Sequence, residues 1–234
     1  AAVVRDDRTV AESLLRALAL PADTPAHLAN SVPIAIFERA ADAVVTGDTA
    51  RLRALLMAHP LLASARSRRP HHCTLLNYLG ANGFEVERQK TPANAVEVID
   101  ILLDAGADPN ARCYTYRGGP GATTVSLLVT SDHPRKAGLT LPMVVALARG
   151  GTRVDPVYQL LVDLYRHLAE ARPAPRIDPS VAAAALVEAA SINEGTLLQA
   201  LLDRGVDINA TRADNATALH LAAINGNRSM VTLL

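Results

Sequence analysis

The chain has 234 residues, of which 23 are basic and 23 acidic, so its formal net charge is zero. Half of the residues are hydrophobic but only seven are aromatic, and 43 Ala and 33 Leu favour close-packed helices over a β-sandwich. This composition excludes a mainly disordered chain, gives no argument for a nucleic-acid or membrane-surface partner, and contains no apolar run of the roughly 18 residues that span a bilayer.

The first predicted element is an N-terminal helical cap over residues 1–36. Thr9 and Glu12 form a capping-box signature, in which each side chain bonds the backbone of the other residue. The signature predicts a helix over residues 8–20, which would cover the first of the units that follow.

Pairs of predicted helices then occupy residues 37–156 and 177–234. The first unit covers residues 37–67, and the second opens at Thr74. The third opens within residues 121–124. Insertions at residues 84–94 and 131–141 interrupt the second and third units, and the second helices are predicted at 95–105 and 142–149. Residues 157–176 form a helical insertion or degenerate unit, ending in a short proline-rich connector.

The clearest copy of the repeated pattern lies at residues 214–226, which read DNATALHLAAING. A shift of 33 residues places Leu219 on Leu186, as expected for a fixed-period repeat. Thr217 can cap the helix start, and Gly226 allows the left-handed turn that ends it. Two further segments are near copies of each other: LLDRGVDINA at 201–210 and LLDAGADPNA at 102–111.

These segments resemble the ankyrin repeat, whose signature is T-P/A-L-H-x-A-A-x-x-G followed by G-A-D-x-N-A. The resemblance implies an all-α solenoid of stacked helix–turn–helix units with short β-hairpin turns. It also implies that His220 hydrogen-bonds between repeats, whereas Asn77 replaces the usual histidine in the second unit. Two segments, HHCTLLNYLGANG (71–83) and RQKTPANAVE (88–97), are similar to a bacterial group of ankyrin-repeat proteins with elongated repeats.

Catalytic, metal and nucleotide sites are disfavoured by the motifs. His71, His72 and Cys73 adjoin, but no spaced pair of metal ligands accompanies them, so a polar turn is favoured over a metal site. The glycine-rich segment 118–124 lacks the Lys-Ser/Thr of a phosphate loop, which favours an enlarged turn. No nucleophile–base constellation is apparent, so the sequence predicts a protein that is not an enzyme and binds no cofactor.

Basic residues concentrate in the two insertions, which hold the chain's only lysines, Lys90 and Lys136. Stacking of the repeats would bring these insertions together, and a small cationic patch for an acidic partner is one hypothesis. The alternative is that the insertions are solvated tips neutralised by Glu85, Glu87 and Asp132. The patch would also include Arg88, Gln89, His133 and Arg135.

The resemblance also implies that partners contact the hairpin tips and the first helix of each repeat. Transferred to this chain, the tip residues are Arg112, Tyr114, Tyr116 and Arg117 in one hairpin and Thr211, Arg212 and Asp214 in the last. Tyr and Arg are the residue types that contribute most binding energy at interfaces. The alternative for Tyr114 or Tyr116 is packing beneath the glycine-rich turn.

We therefore predict a protein–protein interaction module that presents a concave surface and hairpin tips to another protein. Two alternatives remain open: a regulatory or targeting domain of a larger enzyme, and a bacterial effector or immunity protein with a foreign target. Two cysteines and an Arg-to-Lys ratio of 21 to 2 predict a reducing, bacterial cytoplasm, with a secreted effector left open. The pattern stops at Leu234, which predicts a fragment that self-associates through an uncapped end.

Overall fold

The computed structural model describes residues 32–80, 85–114, 120–170 and 172–234. Within these residues the chain is mostly helical, and a two-stranded antiparallel hairpin, β1 (Cys113–Tyr114) and β2 (Pro120–Ala122), is its only sheet. The α-helices are α1 (Ile34–Thr46), α2 (Thr49–Ala58), α3 (Leu75–Tyr78), α4 (Ala95–Asp104), α5 (Thr124–Val129), α6 (Asp132–Lys136), α7 (Thr140–Arg149), α8 (Pro156–Glu170), α9 (Pro179–Ser191), α10 (Gly195–Leu202), α11 (Ala218–Ile224) and α12 (Arg228–Leu233). Short 3-10 helices occur at Pro60–Ala63 and Val86–Arg88. The cap helix predicted at 8–20 lies outside the described residues.

Threonines cap three of the first helices, and the sequence analysis predicted the helix starts at Thr74 and Thr217. Thr74, Thr123 and Thr217 precede α3, α5 and α11, and each forms a reciprocal capping box with the residue three positions later. The backbone N–H of Thr217 and the Nδ1 of His220 are 3.2 Å apart in the last of these boxes. Each cap satisfies amides that the first helical turn leaves without a partner, which fixes where these helices start.

The turn between α1 and α2 depends on Gly47. Its φ of 72° is in the left-handed region, and Asp48 then caps α2 by accepting a hydrogen bond from the amide of Arg51 at 3.0 Å. A Cβ at Gly47 would lie 2.1 Å from Oδ1 of Asn94, whose Nδ2 donates to the Gly47 carbonyl at 3.0 Å. The end of the first insertion is thereby attached to the turn of the first helix pair.

The helices pack as successive pairs that share one hydrophobic core. α1 contacts α3 and α3 contacts α5, while α2 contacts α4 and α4 contacts α7. α9 packs against both α10 and α11, and α11 packs against α12. α8 contacts α7, α9 and α10, so this helix without a repeat pattern joins the first three pairs to the last two. The buried core extends from Phe37 to Met230 through every pair.

The predicted second helices are observed at Ala95–Asp104 and Thr140–Arg149, with small differences at their ends. The helical segment predicted within residues 157–176 is observed as the helix Pro156–Glu170. The second insertion contains a helix, α6, that the sequence analysis did not predict. Asp132 lies in its first turn and forms ion pairs with Arg135 and Lys136. Such pairs, at i,i+3 and i,i+4, are the ones that stabilise short helices.

The side chain of Arg66 joins two neighbouring turns, before α3 and before α5, by hydrogen bonds to their backbone carbonyls. Nη1 of Arg66 donates to the carbonyls of His72 at 3.0 Å and Arg112 at 2.6 Å. Cys73 precedes α3 and Cys113 lies in β1, and both side chains are fully buried.

The expectation that His220 hydrogen-bonds between repeats needs correction. His220 is exposed, and its Nδ1 contacts Thr217 within the same turn. Asn77, which replaces the usual histidine, makes the contact between units instead. Its Nδ2 donates to the carbonyl of Ala111 at 3.2 Å and to Oγ1 of Thr124 at 3.0 Å, all in a buried environment.

We expect Asn77→Ala to lower the free energy of unfolding by about 2–3 kcal/mol, because the buried acceptors at Ala111 and Thr124 lose their donor. His220→Ala, at the equivalent position of the last unit, should cost less than about 1 kcal/mol, since the side chain is exposed. Urea denaturation followed by far-ultraviolet circular dichroism measures both. Equal losses would contradict the role assigned to Asn77.

Candidate functional site

A cavity of about 460 Å³ opens where three parts of the chain meet. They are the start of α8, the middle of α9, and the turn that precedes α11. We call this cavity the Glu188 pocket; its lining residues are Asp155, Val157, Tyr158, Ala184, Glu188, Arg212, Ala213 and Asp214. Its volume is in the range of about 300–1,000 Å³ that is typical of ligand pockets.

Local sequence positions each wall of the pocket. Asp155 caps α8 by accepting a hydrogen bond from the amide of Tyr158 at 3.0 Å, and a proline follows it at the first helical position. Ala184 and Glu188 are four residues apart on α9 and therefore share one face. The turn before α11 is closed by the bridge between Thr211 and Thr217.

A chain of polar contacts crosses the pocket. The hydroxyl of Tyr158 donates to Oε1 of Glu188. Nη1 of Arg212 lies 3.4 Å from Oε2 of Glu188, and the same guanidinium forms shorter hydrogen bonds, of 2.8 to 3.0 Å, with the carboxylate of Asp214. The side chains are thus held in one arrangement by their own contacts.

The electrostatics of the pocket lower the pKa of Asp214 and raise the pKa of Tyr158. The hydrogen bonds from Arg212 hold the pKa of Asp214 down at about 2. Burial, followed by the negative charge of Glu188, raises the pKa of Tyr158 well above its ordinary value. Tyr158 therefore remains a hydrogen-bond donor to Glu188 at neutral pH.

Arg88, assigned by the sequence analysis to an exposed cationic patch, lies in a buried ion-pair network. Its guanidinium is within 2.7 to 2.8 Å of the carboxylates of Glu38, Asp42 and Glu85. Burial alone would lower the pKa of Arg88, but the hydrogen bonds to Glu38 and Asp42 raise it. The expectation that Glu85 is solvated is wrong, because this residue is 4 % exposed.

Three basic side chains surround the buried Glu85 carboxylate. Nε2 of His71 lies 2.7 Å away, Nη1 of Arg88 2.8 Å and Nε of Arg69 3.1 Å. Nδ1 of His71 accepts a hydrogen bond from the amide of Cys73, so the ring proton is on Nε2 and points at Glu85. Burial lowers the pKa of His71 despite the nearby carboxylate.

The other residues of the predicted patch are spread over different environments. Gln89 is half-buried and donates to the backbone of Glu85, whereas Lys90 is exposed. In the second insertion, His133 is exposed, and Arg135 and Lys136 both pair with Asp132. Lys90 is thus an exposed cation of the first insertion, whereas Arg88 is buried and cannot be part of a surface patch.

Among the predicted tip residues, Arg212 and Asp214 line the Glu188 pocket. Arg112 is exposed, and Tyr114 is 38 % exposed with its ring edge-to-face against His72 at 5.0 Å between centroids. Tyr116 and Arg117 lie outside the described residues.

Sequence reasoning did not identify Asp155, Tyr158 or Glu188 as parts of a site. The helix that carries Tyr158 has no repeat pattern. One signal was present in the sequence: Glu188 is the only charged residue of α9, whose other residues are mainly alanine and other small or apolar types.

Metal-ligand clusters and membrane-spanning helices were sought among the described residues. Within 32–80, 85–114, 120–170 and 172–234, no group of three or more His, Cys, Asp or Glu side chains is arranged to hold a metal ion. None of the helices described there is both long enough and apolar enough to cross a membrane.

A family model described as ankyrin repeats (many copies) matches residues 190–234. This region contains α10 to α12 and the turn that carries Arg212, so the match supports the ankyrin prediction for the C-terminal part of the chain. No curated protein matches the chain.

Replacing Arg88 tests the ion-pair network. We expect Arg88→Met to lower the free energy of unfolding by about 3 kcal/mol or more, because Glu85 remains buried with one cation fewer. Lys90→Met, two residues away and exposed, should change it by less than about 0.5 kcal/mol. Urea denaturation of the two variants gives the comparison, and similar midpoints would show that the network contributes little.

The lowered pKa of His71 predicts a pH dependence. The folded state disfavours the charged ring, so the unfolded chain takes up the proton first and stability falls as the pH drops below the ordinary histidine value. His71→Gln removes the titrating group. We therefore expect the urea midpoint of this variant to fall less between about pH 7 and pH 5 than that of the wild type. The exposed His133→Gln is the control and should retain the wild-type slope; a reduced slope in both variants would refute the assignment.

Proposed function

We propose that the chain is a protein-binding module of stacked ankyrin repeats, which uses the side carrying its hairpin turns and first helices to bind another protein and catalyses no reaction. Ankyrin repeats are generally protein–protein interaction modules, and the match at residues 190–234 supports the assignment. The Glu188 pocket is the observation that carries the proposal, because it opens between α8, the first helix α9 and the turn before α11. The turn lies within the matched residues 190–234.

The repeat architecture is proposed to extend over the first three helix pairs as well. Their support is the capping threonines before α3 and α5 and the continuous contacts along both rows of helices. α8 is then an inserted helix that fills the place of a repeat between the third and fourth pairs. Membership of the bacterial group with elongated repeats and a cytoplasmic location remain predictions.

The proposed surface is formed before a partner arrives. Arg66 ties two neighbouring turns together, and Arg212 ties the last turn to Glu188 on α9. A surface whose side chains are already held loses little conformational entropy on binding, which favours affinity for a partner of matching shape.

The chemistry of the pocket supports recognition over covalent catalysis. The described lining residues include no Ser, Thr, Cys, His or Lys, so no Ser–His, Cys–His or lysine nucleophile is present among them. The carboxylate of Glu188 is engaged by a phenol that burial keeps protonated. Such groups orient a bound partner through hydrogen bonds and charge.

The self-association predicted for the last repeat has structural support. Leu219, Ile224 and Leu233 on α11 and α12 are exposed apolar side chains. Exposed apolar side chains are suited to contact another apolar surface, and self-association through the last repeat remains a prediction.

A photo-crosslinking residue at Ala213, on the rim of the pocket, tests the proposal. We expect Ala213→benzoyl-phenylalanine to form covalent adducts with a defined protein in a lysate of the source organism, because the position would face the partner. Denaturing electrophoresis and mass spectrometry identify the adducts.

The control is the same residue at Thr196, which is exposed on α10 and lines no part of the pocket. Adducts that are identical at the two positions, or absent from Ala213, would exclude this surface as the binding site.

A further inference from the structure

The charges in the Glu188 pocket do not balance. Asp155, Glu188 and Asp214 contribute three carboxylates, and Arg212 is the only cation among the described lining residues. Arg212 is engaged mainly by Asp214, with three contacts of 2.8 to 3.0 Å, against one contact of 3.4 Å to Glu188. The Arg212–Asp214 pair is therefore close to neutral by itself, and the negative charge of the pocket lies on Asp155 and Glu188.

Both of these carboxylates retain capacity to accept hydrogen bonds. An ionised carboxylate has about four acceptor positions. Oδ1 of Asp155 accepts from the amide of Tyr158, Oε1 of Glu188 accepts from the Tyr158 hydroxyl, and Oε2 of Glu188 has the long contact with Arg212. A cationic donor that enters the pocket would find open acceptors on both acids.

Tyr158 brings the two acids into one site. Its backbone N–H donates to Asp155 and its hydroxyl donates to Glu188, so one residue anchors both carboxylates. Tyr158 is 5 % exposed, and its position is fixed by the packing of α8 against α9. Glu188 is therefore positioned by a buried side chain, and the exposed Asp155 is positioned by its capping hydrogen bond at the start of α8.

The remaining lining is apolar. Val157, Ala184 and Ala213 offer short side chains beside the acids. A long side chain with an aliphatic stem and a charged end matches such a pocket, because its methylenes cover apolar surface while its head meets the carboxylates. The planar guanidinium carries five donors in a fixed fork and can engage two acceptor groups at once, which an ammonium does less well.

We propose that the Glu188 pocket receives an arginine side chain of the protein partner, with the guanidinium hydrogen-bonded to Glu188 and Asp155. The inference rests on the proposed function and specifies its chemistry: the partner presents an exposed arginine to this surface. Arg212 does not repel the incoming cation strongly, since Asp214 neutralises it. Tyr158 holds Glu188 in place before binding.

The test uses the whole chain, labelled with nitrogen-15, and Nα-acetyl-arginine methylamide as the probe. We expect the amide signals of Tyr158, Glu188 and Ala213 to shift in a saturable manner at millimolar probe. Nα-acetyl-citrulline methylamide has nearly the same shape as the arginine probe but carries no charge. We expect its affinity to be lower by about tenfold.

Two variants locate the binding site. Glu188→Gln and Asp155→Asn keep the shape of the side chains but remove a charge, and the asparagine still serves as a helix cap. Each should weaken arginine binding by about tenfold relative to wild type. Glu87→Gln removes an exposed carboxylate in the first insertion and should leave the affinity unchanged.

Three results would overturn the proposal: no saturable shifts with the arginine probe, equal affinities for arginine and citrulline, or arginine binding that survives both pocket variants. Preferential binding of Nα-acetyl-aspartate methylamide would also overturn it and make Arg212 the recognition group. If crosslinks form at Ala213 and any of these results is obtained, the proposed protein-binding surface stands. Only the proposal that the pocket receives an arginine side chain is then excluded.

Discussion

The buried carboxylate of Glu85 holds the first insertion against the first helix pair. Its contacts with His71, Arg69 and Arg88 join the insertion to the preceding turn, and Arg88 continues the network to Glu38 on α1. A charge in this position is tolerated only when its partners replace the lost water. Because the insertion returns to the stack at a defined place, α4 can pack beside α2 and the row of helices continues.

Signals that act over a few residues predicted most of the helices. Capping threonines, helix-ending glycines and apolar periodicity are local, and α4, α7 and α8 were found close to their predicted bounds. The environment of Arg88 was predicted wrongly, because it depends on residues that are distant in the sequence. Its partner Glu38 is 50 residues away, and a run of charged residues reads as solvated when no distant partner is visible. Asn77 shows the same limit, since its bonds reach Ala111 and Thr124 across units.

The candidate site was predictable only in part, for a related reason. The resemblance to ankyrin repeats pointed to Arg212 as a tip residue. Tyr158 and Glu188 are 30 residues apart in the chain and meet only because α8 packs on α9. A helix without a repeat pattern has no register that a sequence comparison can transfer, so its contribution to the pocket appears only in three dimensions.

The buried thiols of Cys73 and Cys113 allow the opening of this part of the molecule to be measured in the unmodified protein. Both are fully buried, so an alkylating reagent can reach either sulphur only after the turns separate from each other or from the core. The alkylation rate therefore measures how often this side of the molecule opens, and no label has to be introduced. A bound partner that spans the two turns would slow the alkylation. The rate at these two cysteines would then report the fraction of the protein that has a partner bound.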